Sequence, residues 1–271
     1  MCGIAGIAKL GSENGENQAL NRMSEVLGHR GPDAHDTWSE TGEKGNSVFL
    51  AHRRLSILDL SEKGKQPMHS SCGRFVVILN GEIYNYRELR AELSEFEFRS
   101  GTDTEVLLNA WKKWGEACLD RLEGMFAFAM WDREVEKLTL VRDRLGIKPL
   151  YYRLQGKELL FASEVRGLLA SGRFQARLER KALRDYLAYQ TVHAPMTILQ
   201  GVFLLEPGHL SVWQNGEWEK KAWWQITKAA DKESGKLDYE SQKKRIRELL
   251  ERAVEQRMVA DVPLGAFCPA G

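Results

Sequence analysis

Apolar residues in the first two thirds of the chain come in short runs, not in long helical stripes. Runs at 3–9, 48–52, 75–79, 126–131, 138–141, 150–154 and 159–162 predict strands, several of them flanked by Gly, Asn or Asp turn signals. Val48-Phe49-Leu50-Ala51 and Val76-Val77-Ile78-Leu79 are apolar at every position, so both faces of those strands are expected to be covered. Helical patterns are interleaved. One covers 85–93, after an expected turn at Asn80-Gly81. Another opens at Thr102-Asp103-Thr104-Glu105, which reads as a capping box, with Val106, Leu107, Ala110, Trp111 and Trp114 on one face. Residues 164–170 and 180–189 are further helices by the same pattern. The mixture predicts an α+β fold of antiparallel sheets with helices packed outside.

The pattern changes near the end. Residues 228–240 are charged and almost free of large apolar side chains, which reads as a linker between a domain at 1–227 and a second segment at 241–271. An amphipathic helix is expected over 240–259, with Ile246, Leu249, Leu250, Ala253, Val254 and Met258 as its apolar stripe. Val262-Pro263-Leu264-Gly265-Ala266-Phe267 looks like the start of a strand. A helix and one strand cannot bury their apolar faces alone, so this segment is expected to be the truncated opening of a further domain.

Composition narrows the field by exclusion. The chain has 271 residues, 43% hydrophobic and 28% charged, with a formal net charge of +1. Nothing in that balance favours nucleic acid or an anionic membrane. No apolar run is long enough to span a bilayer, and no secretion signal is visible. Cys2, Cys72, Cys118 and Cys268 show neither metal-ligand spacing nor a disulfide framework. No metal site is expected, and a reducing cytoplasm is the simplest compartment.

Cys2 is the most informative residue. With Met1 removed, one residue would carry a thiol and a free α-amine, and both ordinarily titrate near neutral pH. The alternative is a small apolar residue that begins a strand. Four further segments can complete a site. Arg30-Gly31-Pro32-Asp33 reads as a tight turn. His52-Arg53-Arg54 puts two guanidinium groups at a strand end: either solvated surface arginines, or a planar fork of the kind that clamps a carboxylate in two places. Asn80-Gly81-Glu82 is either a hairpin turn or a pair of oxyanion donors, the Asn80 amide and the Gly81 N–H. Asp103 either compensates a helix dipole or receives a substrate ammonium. Together these groups suit an α-amino acid that bears a second carbonyl group, and acyl transfer to the thiol is the implied reaction.

The ordered set Cys2-Gly3-Ile4, Arg30-Gly31-Pro32-Asp33, Arg54-Leu55-Ser56-Ile57, Asn80-Gly81-Glu82-Ile83-Tyr84-Asn85, Gly101-Thr102-Asp103-Thr104-Glu105 and Gly124-Met125-Phe126-Ala127-Phe128-Ala129 resembles class II glutamine amidotransferase domains, and most closely those of glutamine-hydrolysing asparagine synthetases. The stretches 142–152 and 161–164 extend the resemblance over essentially the whole chain. It implies an N-terminal nucleophile hydrolase fold, a four-layer αββα sandwich with two antiparallel sheets. It implies Cys2 as nucleophile with its own amine as base, and Asn80 and Gly81 as oxyanion hole. Arg54, in preference to Arg53, would clamp the glutamine carboxylate, and Glu82 and Asp103 would hold its ammonium. The segment 144–152 would line an ammonia channel; a hairpin around Gly146 and Pro149 is the other reading.

The glutaminase step implies no cofactor. The family normally continues into a synthetase domain that uses ATP, with magnesium, to amidate aspartate. That domain opens with a Ser-Gly-Gly-x-Asp-Ser phosphate loop where this chain reads Phe267-Cys268-Pro269-Ala270-Gly271. Proline lacks the N–H that a phosphate cradle needs, so ATP binding in the family's manner is not expected. The expected partners are glutamine, and aspartate and ATP only where a synthetase domain is supplied; a homodimer is compatible with this. Two other readings remain: a glutaminase serving a different acceptor, and a non-catalytic glutamine-binding or regulatory remnant.

Overall fold

The structure, a computed structural model, describes residues 1–11, 15–228 and 237–265. Its strands are β1 (Gly3–Leu10), β2 (Ala34–Thr41), β3 (Asn46–Arg54), β4 (Met68–His69), β5 (Phe75–Ile83), β6 (Gly124–Asp132), β7 (Lys137–Arg142), β8 (Tyr151–Gln155), β9 (Glu158–Ala162), β10 (Phe203–Leu204), β11 (His209–Gln214) and β12 (Glu217–Ala222). Its α-helices are α1 (Glu16–Glu25), α2 (Tyr86–Glu92), α3 (Asp103–Trp114), α4 (Val165–Ala170), α5 (Arg180–Tyr189) and α6 (Tyr239–Arg257). The strands form two six-stranded antiparallel sheets, ordered β10-β8-β9-β1-β3-β2 and β12-β11-β7-β6-β5-β4.

Two-residue alternation along the central strands builds three apolar layers. In β5, Val76 and Ile78 enter the core between the sheets with Ile4, Val48, Leu50, Trp131 and Trp213. Their neighbours Val77 and Leu79 point the other way, into the core under α2 and α3 with Leu89, Val106 and Trp111. In β1 and β3, Ile7, Phe49 and Ala51 join Leu20, Met23 and Leu168 beneath α1 and α4. Helix, sheet, sheet, helix is therefore the layer order. Both all-apolar runs are buried on both faces, as expected.

The two-sheet α+β architecture matches the expectation, and most strands and helices lie within a few residues of where the apolar pattern puts them. Several elements differ. Asn80-Gly81 is not a turn. The ladder between β5 and β6 runs unbroken from Phe75↔Asp132 to Ile83↔Gly124, so both residues lie inside a strand. The Asn-Gly hairpin is at Asn215-Gly216, where both residues have positive φ and Gln214 faces Glu217. The strands around it, β11 and β12, have no predicted counterpart, nor have the edge strand β2 and helix α1. In β2 and β12, partly exposed and polar, the apolar signal is weak. The stretch after β7 is not a hairpin either, because it crosses from the second sheet to β8 in the first.

The end of the chain is only partly as expected. Helix α6 forms with Asp238 as its cap, the carboxylate accepting from Ser241 N at 3.1 Å. Its apolar stripe is not buried: Ile246 is 58% and Leu250 62% exposed. Beyond it, Val259 packs on the core under α3, and Asp261 bonds Ile57 O and Asp59 N. Residues 262–265 form no strand. Residues 229–236 of the expected linker, and the stretch 266–271 that includes Cys268 and Pro269, lie outside the described residues. No described helix is long and apolar enough to cross a membrane.

Candidate active site

The site lies at one end of the layer between the sheets. Ile4 on β1, Val48 and Leu50 on β3, and Val76 and Ile78 on β5 all face that layer. Extending each strand in steps of two gives Cys2, His52 and Arg54, and Asn80 and Glu82. The pleat alone therefore aims these five side chains toward one space. All of them but His52, which turns to Leu79 O, meet a cavity of about 110 Å³, lined by Cys2, Arg54, Asn80, Gly81, Glu82 and Asp103 and also by Met1, Leu55, Gln66, Thr102, Thr104 and Lys148. All six residues singled out from the sequence share this one wall. Arg53, one residue out of step, points outward and donates to Ser24 O and Oγ, each at 3.0 Å.

Cys2 is held from two sides. Its Sγ accepts from Leu55 N at 3.4 Å, and its carbonyl accepts from Arg30 Nε at 2.8 Å. Arg30 is anchored in turn by Glu164 at 2.9 Å. The turn expected at Arg30–Asp33 thus has a use: it delivers Arg30 to the backbone of Cys2, while the Asp33 carboxylate takes Ser56 N at 2.7 Å. Burial pushes the Cys2 thiol above its ordinary pKa, and the contact with Leu55 and the charge of Arg54 offset this only in part. The resting sulfur is a thiol that needs a base.

The Asn80 side chain is 0% exposed, and neither its Nδ2 nor its Oδ1 has a hydrogen-bond partner. No protein group competes for either polar atom of this amide, so both can meet a molecule in the cavity. Beside it, the pairing of Gly81 with Phe126 is the non-bonded kind: both the N–H and the C=O of Phe126 are used by Asp143, away from β5. The Gly81 N–H therefore points to the opposite edge of β5, together with those of Leu79 and Ile83. The Leu79 N–H is taken by Gln66 Oε1 at 2.6 Å and the Ile83 N–H by Asp103 Oδ2 at 2.9 Å. The middle N–H of the three stays open to the cavity. Glycine is required there because a Cβ would run into the Met125 carbonyl oxygen and the Phe126 backbone.

Charge is sorted within the cavity. The Arg54 guanidinium donates to the carbonyls of Leu58, Ser61 and Asp59 and stacks on Gly64, where a Cβ would collide with it. These bonds fix the fork and leave part of it unspent for a carboxylate. Asp103 opens α3, capped by Thr102 Oγ1 on Glu105 N at 3.2 Å. Glu105 does not close the expected box; its carboxylate turns instead to Arg99 N and Ser100 N. Burial first, and then the neighbouring Glu82 charge, push Asp103 up to about 6. Burial also raises Glu82, against the pull of the Lys148 ammonium. Two crowded, dehydrated carboxylates are an electrostatic vacancy for a cation.

Sequence reasoning missed three residues here. Lys148, with a pKa lowered by burial, reaches the cavity from the crossover between the sheets. That loop is shaped by Asp143, which accepts from Leu145 N, Ile147 N and Lys148 N, and by Arg142, which donates to Gly146 O and Lys148 O. Gln66 and His52 lie against Leu79. Lys148 was visible inside the 142–152 motif; Gln66 carries no local signal.

A family model described as glutamine amidotransferase domain matches residues 1–224. Asparagine synthetase [glutamine-hydrolyzing] 3 of Bacillus subtilis is 34% identical over 277 residues, covering 100% of this chain and 44% of that protein. A putative asparagine synthetase [glutamine-hydrolyzing] 2 of Methanocaldococcus jannaschii is 35% identical over 289 residues, covering 100% of this chain and 55% of its own length. The chain thus spans about half the length of these relatives. Among solved structures, a glutamine phosphoribosylpyrophosphate amidotransferase from B. subtilis superposes with a TM-score of 0.61 at 18% identity, over 83% of this chain and 50% of that one, which establishes the shared fold.

Proposed function

The chain belongs to the glutamine amidotransferase domain family, and from that premise we propose that Cys2, freed of Met1, releases ammonia from glutamine. The observation that carries this reading is the fully buried, unpartnered Asn80 amide, placed beside an open Gly81 N–H in the cavity that Cys2 lines. Arg54 takes the glutamine carboxylate, and Glu82 and Asp103 take its ammonium. This sets the side-chain amide against the sulfur. The Cys2 α-amine accepts the thiol proton as sulfur attacks the amide carbon. The oxyanion that forms is bound by Asn80 Nδ2–H and the Gly81 N–H, an arrangement in which one donor is worth about 3–4 kcal/mol of barrier. Collapse of the intermediate breaks the C–N bond, and the protonated amine gives its proton to the departing ammonia. The glutamyl thioester left on Cys2 is hydrolysed by a water that the same amine deprotonates, yielding glutamate. No cofactor takes part in this sequence.

The proposal extends to the fate of the ammonia: where a synthetase domain is supplied, it is passed on to amidate aspartate with ATP and magnesium, as the asparagine synthetase names of the relatives suggest for the product. The proposed compartment is the cytoplasm. The crossover that ends in Lys148 is proposed as part of the ammonia route.

The test is intact mass with and without a glutamine-analogue alkylator, together with an ammonia assay. The expected result is loss of Met1, a single adduct, and equimolar glutamate and ammonia, all abolished by Cys2→Ala except the loss of Met1. Processed protein that binds glutamine without turnover would refute the catalytic reading and support a binding remnant.

A further inference from the structure

We propose that Gln66 and His52 are positioning residues which hold the N–H and the C=O of Leu79, respectively, and thereby aim the Asn80 amide and the Gly81 N–H into the cavity. The proposal rests on the reading of Asn80 and Gly81 as oxyanion donors.

Strand β5 loses its outer neighbour early. β4 pairs only Met68 with Val77 and His69 with Val76. Past that point the N–H and C=O of Leu79 face an edge without a strand, in a buried place where unpaired backbone groups are costly. Two side chains replace the missing strand. Gln66, just beyond the end of β4, accepts the Leu79 N–H at 2.6 Å, and His52, from the opposite sheet, meets Leu79 O at 3.0 Å. Leu79 O is only an acceptor, so His52 Nε2 carries the hydrogen. Burial lowers the His52 pKa to about 4, which keeps the ring neutral with a single N–H committed to this bond.

The grip matters because of what is attached to it. The Leu79 carbonyl and the Asn80 nitrogen share one rigid peptide plane, so holding the first orients the second. The Asn80 side chain makes no hydrogen bond of its own, and its direction is therefore inherited from the backbone and its packing. Gln66 has a second arm: its Nε2 donates to Thr104 Oγ1 at 3.1 Å, in the first turn of α3. Asp103, the preceding residue, holds Ile83 N. Strand β5 is thus pinned to α3 at Leu79 and again at Ile83, on either side of Asn80-Gly81. The carboxylate that would receive the ammonium and the donors that would receive the oxyanion are joined in one frame.

The experiment uses the full, Met1-processed chain and compares Gln66→Leu, His52→Leu and His52→Gln, the last keeping an N–H donor near the Nε2 position. Ammonia release gives kcat and KM. Inhibition by glutamate γ-semialdehyde, an aldehyde that a cysteine traps as an oxyanion-bearing adduct, reports the donors directly. Both Leu variants are expected to lower kcat by about 10- to 100-fold and to weaken the aldehyde by a similar factor, with the glutamine KM within about threefold of wild type. His52→Gln should recover most of the loss. The proposal is overturned by kcat within twofold of wild type in both Leu variants, or by a KM that rises as far as kcat falls. If the Leu variants do not fold, Gln66→Glu decides, since it keeps an acceptor for Leu79 N: kcat near wild type supports the grip, and loss of the aldehyde's affinity overturns it. Asn80→Ala with unchanged kcat would instead defeat the oxyanion reading itself, whatever the other variants do.

Discussion

At the end of β5 a polar side chain is wholly buried with nothing to bond; along α6, large apolar side chains stand in solvent. Each breaks a rule of folding in the opposite sense, and the two carry unequal information. A hydrogen-bonding group is directional. Asn80 sits in a frame fixed by the β5–β6 ladder, Gln66, His52 and Asp103, so a molecule that bonds it must place a polar atom at a defined spot. An apolar face is attracted without direction, at about 25 cal/mol per Å² covered, and says little about what covers it. Contacts of α6 with the sandwich include polar and cation–π ones: Gln256 donates to Glu123 at 2.7 Å, Arg252 lies 3.6 Å from the same carboxylate, and Arg257 stacks over Tyr84. The first region discloses a ligand's chemistry, whereas the second discloses only that apolar surface is left over.

Variants can set the two regions against each other. Asn80→Ala should give the largest effect, a fall in kcat of about 10²–10³-fold. It should leave the melting temperature unchanged or raised, because it removes a group that the fold buries at a cost. Parallel thermal melts and ammonia assays check this; a destabilised, fully active Asn80→Ala protein would contradict it.

Asp103→Asn is the intermediate case. Its pKa of about 6 lies above the ordinary 3.8, so the folded state holds a proton through that window which the unfolded chain has released. This carboxyl therefore stabilises the fold as pH falls through 6 and costs stability above it. At pH 7 the Asn variant should melt higher while its glutamine KM rises several-fold. In the wild type, the glutamine KM should climb below about pH 6, as the acid loses the charge proposed to hold the ammonium. A pH series of KM beside pH-dependent melts reads both signs.

The smallest effect belongs to α6. Leu249→Lys with Leu250→Glu should change stability by no more than about 0.5 kcal/mol and leave kcat untouched, since neither side chain is buried by the sandwich. A large loss in denaturant titration would mean that the stripe is covered after all.

Much of this was legible in advance for reasons that can be named. Doubly buried strands announce themselves through unbroken apolar runs, and α3 through its cap and spacing. The candidate site was legible because Cys2, Arg54, Asn80, Gly81, Glu82 and Asp103 lie in ordered motifs, and the structure brings all six to one cavity. The misreadings share a cause. Asn-Gly has the same local preference at 80 as at 215, but nine residues of pairing with β6 override it at the first and nothing opposes it at the second. Strands β2 and β12 are partly exposed and polar, so they lack the apolar signature.

The sequence alone determined antiparallel sheets with helices outside them, through which positions avoid water, and the inventory of a thiol, an amide, a guanidinium and two carboxylates. Alternation along a strand is a local rule, so the facing of Cys2, Arg54 and Asn80 was implicit in their spacing from apolar neighbours. Only the tertiary structure decided which backbone groups remain unpaired, that Leu79 and Ile83 are capped while Gly81 is open, that Gln66 and Lys148 reach the same wall, and that His52 meets Leu79 O behind it. Those outcomes depend on contacts between segments far apart in the chain, whose distances are set by packing and not by local preference.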